Sequence, residues 1–241
     1  MPRYSASLRL FVDAPLEAGA VVVASEAQAH YLLNVMRLTA GAPVLLFNGR
    51  DGEWQAEITV PAKRRVAFGI VRQTRPQTPA PVLWLAFAPI KRLELLAEKA
   101  SELGVAALQP VFTHHTDITR VNLPRLAANA REAAEQCGRL TVPVIYEPVS
   151  FDAFIAAWPA DRRLYFLDET GGGAPIATAL AAEHSAAPAG FLTGPEGGFA
   201  DSELDALKQL PFARAVGLGP RVLRAETAAL AAIACWLALL G

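Results

Sequence analysis

The sequence has few cysteines, almost no net charge and no apolar run long enough to span a membrane. Cys137 and Cys235 are the only cysteines, which excludes a disulfide framework and a cysteine-rich zinc site. The formal net charge of -1 excludes a uniformly basic nucleic-acid-binding protein. The longest apolar run, 228–240, is shorter than the roughly 18–20 residues that cross a bilayer.

The amino-terminal segment MPRYSASLRLFV has no long apolar run behind its basic residues, so it is not typical of a signal peptide. We therefore expect a cytoplasmic protein that does not enter a membrane. His114 and His115 have no partner at metal-ligand spacing, and no metal site is predicted. Hydrophobic residues make up 53% of the chain, which is ample for a packed core.

Charge is distributed unevenly along the chain. Residues 1–75 contain nine basic and six acidic side chains, whereas 76–241 contain 13 basic and 17 acidic ones. A local excess of positive charge attracts a polyanion such as RNA. We therefore predict an RNA-binding surface in the first part of the chain, and its candidate residues are Arg9, His30, Arg37 and Arg65. For His30 and Arg37, which flank the apolar face of a predicted helix, an ordinary solvated helix surface is an equally good interpretation.

The first 72 residues are typical of short strands joined by turns. Strands are predicted at 8–12, 21–24, 44–48, 54–60 and 66–72. The segment Asn48-Gly49-Arg50-Asp51-Gly52 has the composition of a hairpin loop. One helix interrupts the strands: Ser25 and Gln28 fit a capping box, and apolar residues follow at helical spacing as far as Thr39. So many short strands favour a small closed barrel, because closure leaves no sheet edge unpaired.

The segment 73–81 contains three prolines and predicts a stiff linker between a domain at 1–72 and a domain at 82–241. After it, predicted strands alternate with helices. The strands are at 82–88, 107–112, 164–167, 190–193 and 213–218, and the helices are at 93–103, 126–137, 175–183, 201–210 and 221–240. This alternation predicts an α/β domain with a parallel sheet covered on both faces. Ligands of such sheets bind beyond the carboxyl ends of the strands.

The loop LTGPEGGF at 192–199 follows one of these strands and contains three glycines in five residues. Glycines let a backbone turn sharply and approach a ligand closely. The spacing fits neither GxGxxG nor a P-loop, and an ordinary strand-to-helix turn capped by Asp201 or Ser202 explains it equally well. Such a turn does not require Glu196, which stands among the glycines.

The segment LGPRVLRAETA at 218–228 follows another strand. Pro220 suits the first position of a helix, which would place Arg221 and Arg224 in the first turn. The helix dipole disfavours cations there, so the two arginines predict an anionic partner. A ligand phosphate or carboxylate is the favoured partner, and Glu226 is the local alternative.

A third segment, EQCGR at 135–139, carries a chemical signal, and a glycine run carries a weaker one. In EQCGR at 135–139, Arg139 follows a predicted helix end, where the dipole favours a cation. The polar Glu135 and Gln136 in an alanine-rich helix nevertheless favour a buried site slightly. The run of glycines at 171–173 is more typical of a flexible surface loop than of a ligand loop.

Together these motifs resemble one family. LTGPEGGF, LGPRVLRAETA, EQCGR, EKASELGVAALQPV at 98–111 and HYLLNVMRL at 30–38 followed by LFNG at 46–49 stand in the order of the ribosomal RNA small subunit methyltransferase E family. Its members are SPOUT-class enzymes that methylate N3 of a uridine in 16S rRNA. The resemblance covers nearly the whole chain. At one point the chain departs from it: relatives usually carry an arginine where this sequence has Thr113-His114-His115-Thr116.

The resemblance implies a PUA-like barrel for RNA, a second domain with a deep trefoil knot, S-adenosylmethionine as the methyl donor and a homodimer. It implies that the donor binds at Leu167, Thr193, Gly194, Pro195, Glu196, Gly197, Gly198, Leu218, Gly219, Val222 and Leu223. The catalytic candidates are Arg139, Arg221 and Arg224, which could stabilise the uridine anion, and Glu196 and Glu226, which could take its proton.

Two alternatives are compatible with the sequence. One is a SPOUT methyltransferase that acts on another RNA or on a ribose 2′-hydroxyl, and the other is an RNA-binding protein without catalysis. The intact loops at 192–199 and 218–228 argue against the second. The helix predicted to include 228–240 is apolar on nearly every face, so we expect it to be buried all round, in part by a second subunit.

Overall fold

The fold is that of a computed structural model, which describes residues 8–62, 65–80, 82–182 and 187–240. Pro81 of the predicted linker and Glu183, the predicted end of one helix, lie outside the described residues. The other predicted helices and strands of both halves fall within them.

The chain divides into two compact units. The first contains the residues up to Pro79 together with 134–142, and the second contains 80–133 and the residues from 143 onward. The sequence pattern does not predict that the chain returns to the first unit at 134–142, because it assigns all of 82–241 to one domain.

The first unit is built on five strands: β1 (Arg9–Phe11), β2 (Val21–Val23), β3 (Pro43–Phe47), β4 (Glu53–Ala62) and β5 (Arg65–Arg75). Their order in the sheet is β1-β3-β4-β5-β2. The predicted hairpin joins β3 to β4, and the Asn48 carboxamide oxygen accepts hydrogen bonds from the main-chain N–H groups of Arg50 and Asp51. Such an Asx turn fixes the register of the two antiparallel strands.

The helix of the first unit is shorter than the sequence pattern predicts. The capping box is confirmed at the start of α1 (Glu26–His30), where Ser25 and Gln28 exchange hydrogen bonds. The chain then widens into a π-helical turn at Tyr31–Val35. Arg37, with a φ of 54°, follows in the left-handed region, where a helix does not continue.

The π-helical turn breaks the apolar spacing that continues to Thr39 in the sequence. Such a turn contains more residues than an α-helical one, so side chains at helical spacing no longer share one face. Leu32 is fully buried, whereas Val35 is 59% exposed. The prediction of one apolar helical face through this segment was therefore wrong.

Arg9 binds the segment 134–142 within the first unit. Its guanidinium donates to the main-chain carbonyls of Ala134 and Glu135 at 2.9 Å and of Arg139 at 3.0 Å. Its Nε donates to the carboxylate of Glu53 at 2.7 Å. Three of these acceptors are carbonyls at and just beyond a helix end, where the helix has no partners of its own for them.

The second unit is built on a parallel sheet. Its strands are β6 (Leu83–Phe87), β7 (Ala107–Phe112), β8 (Val144–Ile145), β9 (Val149–Ser150), β10 (Arg163–Leu167), β11 (Ala174–Pro175), β12 (Ala189–Thr193) and β13 (Ala213–Gly217). The order is β11-β13-β10-β12-β6-β7-β8, with β9 paired to β7. All pairs are parallel, as the sequence predicts.

The remaining helices are α2 (Leu93–Glu102), α3 (Leu123–Cys137), α4 (Phe151–Ala157), α5 (Ile176–Ala181), α6 (Asp201–Gln209) and α7 (Ala225–Leu240). The sequence pattern misses β8, β9, β11 and α4, which are too short to show a clear periodicity. It also extends α7 too far, since the predicted helix begins at Arg221 and the observed one at Ala225.

Helix α7 is buried along one face within the chain. Ala229, Ala232, Ile233 and Trp236 are buried, and the helix packs against α2, α5 and β12. Leu239 is 51% exposed, so the prediction that this helix is buried all round does not hold for the single chain. In the part of the chain that the structure describes, no helix meets the length and hydropathy that a membrane span requires.

Candidate functional site

A cavity of about 490 Å³ lies at the carboxyl ends of β10, β12 and β13. These three strands are neighbours in the sheet, so the loops that follow them meet at the edge where such sheets bind ligands. Nearly all residues predicted to surround a methyl donor line this cavity, namely Leu167, Thr193, Gly194, Pro195, Glu196, Gly198, Leu218, Gly219, Val222 and Leu223.

Gly197 is the exception among these residues. It does not line the cavity, and a Cβ atom placed on it would lie 3.2 Å from the Cβ of His115. The neighbouring Gly198 does line the cavity, and its φ of 71° is a left-handed conformation that favours glycine. A Cβ there would meet the carboxylate at the end of the exposed Glu169 side chain. Of these two glycines, Gly198 is therefore the one whose backbone lies at the cavity.

Two buried polar side chains at the cavity have unused hydrogen-bonding atoms. Asp168 is 4% exposed and Thr193 is 3% exposed. The Oδ1 atom of Asp168 accepts from the main-chain N–H and the hydroxyl of Thr170, at 2.9 and 2.6 Å. Within the described residues, Asp168 Oδ2 and Thr193 Oγ1 have no hydrogen-bond partner. Because buried polar atoms are nearly always paired, these two atoms indicate a polar ligand.

Sequence reasoning did not identify Asp168 as a site residue, and it gave the glycines that follow it only a weak signal. The structure places Gly171 and Gly173 in the wall of the cavity, and a Cβ on Gly173 would lie 2.7 Å from the main chain of Val216. The glycine run is thus exposed at Gly171 and Gly172 and also forms part of the cavity wall. An acidic residue directly after a buried strand, followed by a glycine run, was the signal that could have identified this loop.

The two arginines of the segment 218–224 line the cavity, but they are not in a helix. Arg221 lies in a bend, and Arg224 precedes α7, with its carbonyl accepting from the Ala228 N–H at 2.8 Å. Both side chains are exposed and have no ion pair with a described residue. Glu226, the local alternative partner, instead lies 3.8 Å from Arg92.

The two glutamates proposed as proton acceptors differ in their surroundings. Glu196 is exposed and lines the cavity, whereas Glu226 is 8% exposed and does not line it. Because Glu226 also faces the cation of Arg92, the geometry favours Glu196 for contact with a substrate.

Arg139 belongs to the first unit and does not line the cavity. Its guanidinium donates to the hydroxyl of Thr141 at 2.8 Å, and desolvation lowers its pKa to about 10. The surrounding EQCGR segment has contacts of its own: Glu135 accepts from the Phe11 N–H, and the Gly138 carbonyl accepts from Arg75. These contacts explain the polar residues of the EQCGR segment by their hydrogen bonds within the first unit.

The residues predicted to bind RNA fall into two groups. His30, Arg37 and Arg65 are exposed and can meet a phosphate. Arg9 is 8% exposed, and its donors are used within the unit. The assignment of Arg9 to the RNA surface is therefore corrected, because a buried guanidinium that makes four hydrogen bonds within the unit cannot reach a phosphate.

Comparison with known proteins gives matches to RNA methyltransferases in both parts of the chain. Residues 76–237 match the model of an RNA methyltransferase domain, and 25–71 match that of an RNA methyltransferase PUA domain. A ribosomal RNA small subunit methyltransferase E from Rickettsia conorii is 31% identical over 94% of this chain and 93% of its own. Its counterpart from Synechocystis is 32% identical over 89% of this chain and 72% of its own.

Among solved structures, the chain is similar to a ribosomal RNA small subunit methyltransferase E from Neisseria gonorrhoeae bound to S-adenosyl methionine. The two chains are 27% identical, superpose with a TM-score of 0.86 and cover 98% of each other. This likeness spans both the first unit and the unit that holds the cavity.

Proposed function

We propose that this chain, which belongs to the ribosomal RNA small subunit methyltransferase E family, transfers a methyl group from S-adenosylmethionine to N3 of a uridine in 16S rRNA. The observation that carries the proposal is the cavity at the carboxyl ends of β10, β12 and β13, with its two buried and unpaired polar atoms. The relatives' names support rRNA as the substrate.

The residues of the cavity fit this methyl donor. S-adenosylmethionine presents hydrogen-bond donors in its ammonium, ribose hydroxyl and adenine amino groups, and it supplies a methyl group on a sulfonium. Asp168 Oδ2 is a free acceptor, and the Thr193 hydroxyl can donate or accept. Gly194 and Gly219 bring main-chain groups to the cavity without a side chain between. We assign these four residues to holding the donor.

Methylation at N3 imposes two requirements on the protein. Because N3 lies on the pairing edge of uracil, the base must be unpaired when it reaches the site. Because N3 carries a proton at neutral pH, a group must accept that proton while cations stabilise the charge left on the base. We assign the acceptor role to Glu196 and the stabilising role to Arg221 and Arg224, which line the same cavity.

The Arg224→Ala variant tests the role of the second arginine. We expect turnover to fall by at least about tenfold, because a cation facing the developing charge is removed. The free energy of unfolding should stay within about 0.5 kcal/mol, because the side chain is exposed and pairs with no described acid. Steady-state kinetics and thermal melting measure the two effects. Arg214→Ala is the matched control, since Arg214 is exposed at the amino half of β13, and a lower melting temperature with intact turnover would contradict the assignment.

The proposed reaction is tested by its product. Purified protein, radiolabelled or isotopically labelled S-adenosylmethionine and either naked 16S rRNA or assembled small subunits are incubated, and the modified nucleoside is identified by mass spectrometry. The expected product is N3-methyluridine at a single site. A methyl group on a ribose hydroxyl, on another base or on tRNA would replace this proposal with one of the alternatives, and no transfer would leave only RNA binding.

We further propose that the protein acts in the cytoplasm as a homodimer and binds RNA through His30, Arg37 and Arg65. Val222, at the cavity, is 83% exposed, and Leu239 of α7 is 51% exposed. A second copy that covered these apolar side chains would remove them from water. Light scattering at micromolar concentration should give the mass of a dimer, and the mass of a monomer would reject this part of the proposal.

A further inference from the structure

The segment that follows β7, Thr113-His114-His115-Thr116, forms a closed turn. The Thr113 N–H donates to the Thr116 hydroxyl at 3.0 Å, and the two threonine hydroxyls lie 2.8 Å apart. Thr113 is 7% exposed, so the turn is anchored at its base. The two histidine rings stand at its exposed tip with their centroids 4.9 Å apart.

His115 contacts the loop at 192–199, which we call the glycine loop. Its Nδ1 lies 3.2 Å from the carbonyl oxygen of Gly198, and a carbonyl only accepts, so Nδ1 carries the hydrogen. The Cβ of the same histidine would be 3.2 Å from a Cβ on Gly197. The side chain therefore lies against both glycines, and Gly197 has room for no larger residue unless His115 shifts.

A second contact holds the same loop two residues further on. The buried carboxylate of Glu203 accepts from the His114 N–H at 2.8 Å and from the Ala200 N–H at 2.9 Å. Phe199, between the two contacts, is 6% exposed. The turn after β7 thus contacts the chain before Phe199 directly, through His115, and is linked to the chain after Phe199 through Glu203.

We propose that His115 is a positioning residue for the glycine loop, and through it for the methyl donor; the inference rests on the proposed function of the cavity. Gly198 lines the cavity in a left-handed conformation. The hydrogen bond from Nδ1 fixes the direction of its carbonyl and so orients the peptide groups that face the cavity. Without that bond the loop samples other conformations, and part of the donor's binding free energy is spent on ordering it.

The experiment compares three substitutions of His115 by calorimetric titration with S-adenosylmethionine. An Asn amide nitrogen occupies the place of Nδ1, whereas a Gln amide nitrogen occupies the place of Nε2. We expect His115→Ala and His115→Gln to weaken the affinity by about three- to tenfold, the worth of one hydrogen bond. His115→Asn should stay within about twofold of the unsubstituted protein.

The control is His114→Asn, which changes the neighbouring ring and keeps the main-chain N–H that Glu203 accepts; it should leave the affinity unchanged. Thermal melting of all variants shows whether each one is folded. A merely structural role of His115 would not distinguish the affinity of the Asn variant from that of the Gln variant. Equal affinities for the Ala variant and the unsubstituted protein, or equal losses for Asn and Gln, would overturn the inference alone. Failure of the unsubstituted protein to bind S-adenosylmethionine would instead overturn the proposed function.

Discussion

Asp168→Asn is expected to weaken the binding of S-adenosylmethionine by about 10- to 100-fold, the range for losing a hydrogen bond to a charged group. The substitution keeps the shape of the side chain and the oxygen that Thr170 uses. It replaces the unpaired Oδ2 acceptor with an N–H donor, which cannot accept from the ammonium, hydroxyl or amino groups of the methyl donor. Calorimetric titration measures the loss.

The same substitution should not destabilise the protein without ligand. A buried carboxylate oxygen without a partner is costly in the folded state, and an amide is less costly there. We therefore expect the melting temperature of Asp168→Asn to be equal to or slightly above that of the unsubstituted protein. Asp161→Asn is the matched control, because Asp161 is exposed and precedes β10 at the opposite end from the cavity. Unchanged affinity in Asp168→Asn would show that Asp168 does not contact the donor.

Much of this fold could be predicted because its signals are local. The apolar runs that do not alternate in polarity predict buried parallel strands, and the observed β7 spans Ala107–Phe112 as the sequence indicates. The loops at 192–199 and 218–224 could also be predicted as sites, because parallel strands bring their following loops to one edge. Sequence spacing alone could not show which side of the loop each glycine faces, and Gly197 faces His115.

The misjudged residues depend on contacts that are distant in sequence. Arg9 was predicted to bind RNA because the first part of the chain has an excess of positive charge. It is instead covered by carbonyls about 125 residues away along the chain, which no periodicity reveals. The end of α1 was misjudged for another reason. A π-helical turn changes which side chains share a face, and the spacing of apolar residues in the sequence does not show where such a turn occurs.

Arg9→Ala is therefore expected to destabilise the first unit by about 3 kcal/mol, as the loss of one partner from a buried ion pair does. The Glu53 side chain, 5% exposed, would lose its contact at 2.7 Å and keep only Arg75 at 3.6 Å. The carbonyls of Ala134 and Arg139 would lose their donors as well. Urea unfolding followed by circular dichroism measures the change.

Two matched variants decide why Arg9 matters. Arg65→Ala removes an arginine that is exposed on β5 and should change the stability by no more than about 0.5 kcal/mol. Replacing Arg9 by Met and Glu53 by Leu together should recover much of the lost stability, because the buried charge is removed with its partner. If Arg9 served RNA instead, Arg9→Ala would fold as stably as the unsubstituted protein and show a smaller dependence of RNA affinity on salt. The burial of Arg9 and its four hydrogen bonds lead us to expect the loss of stability.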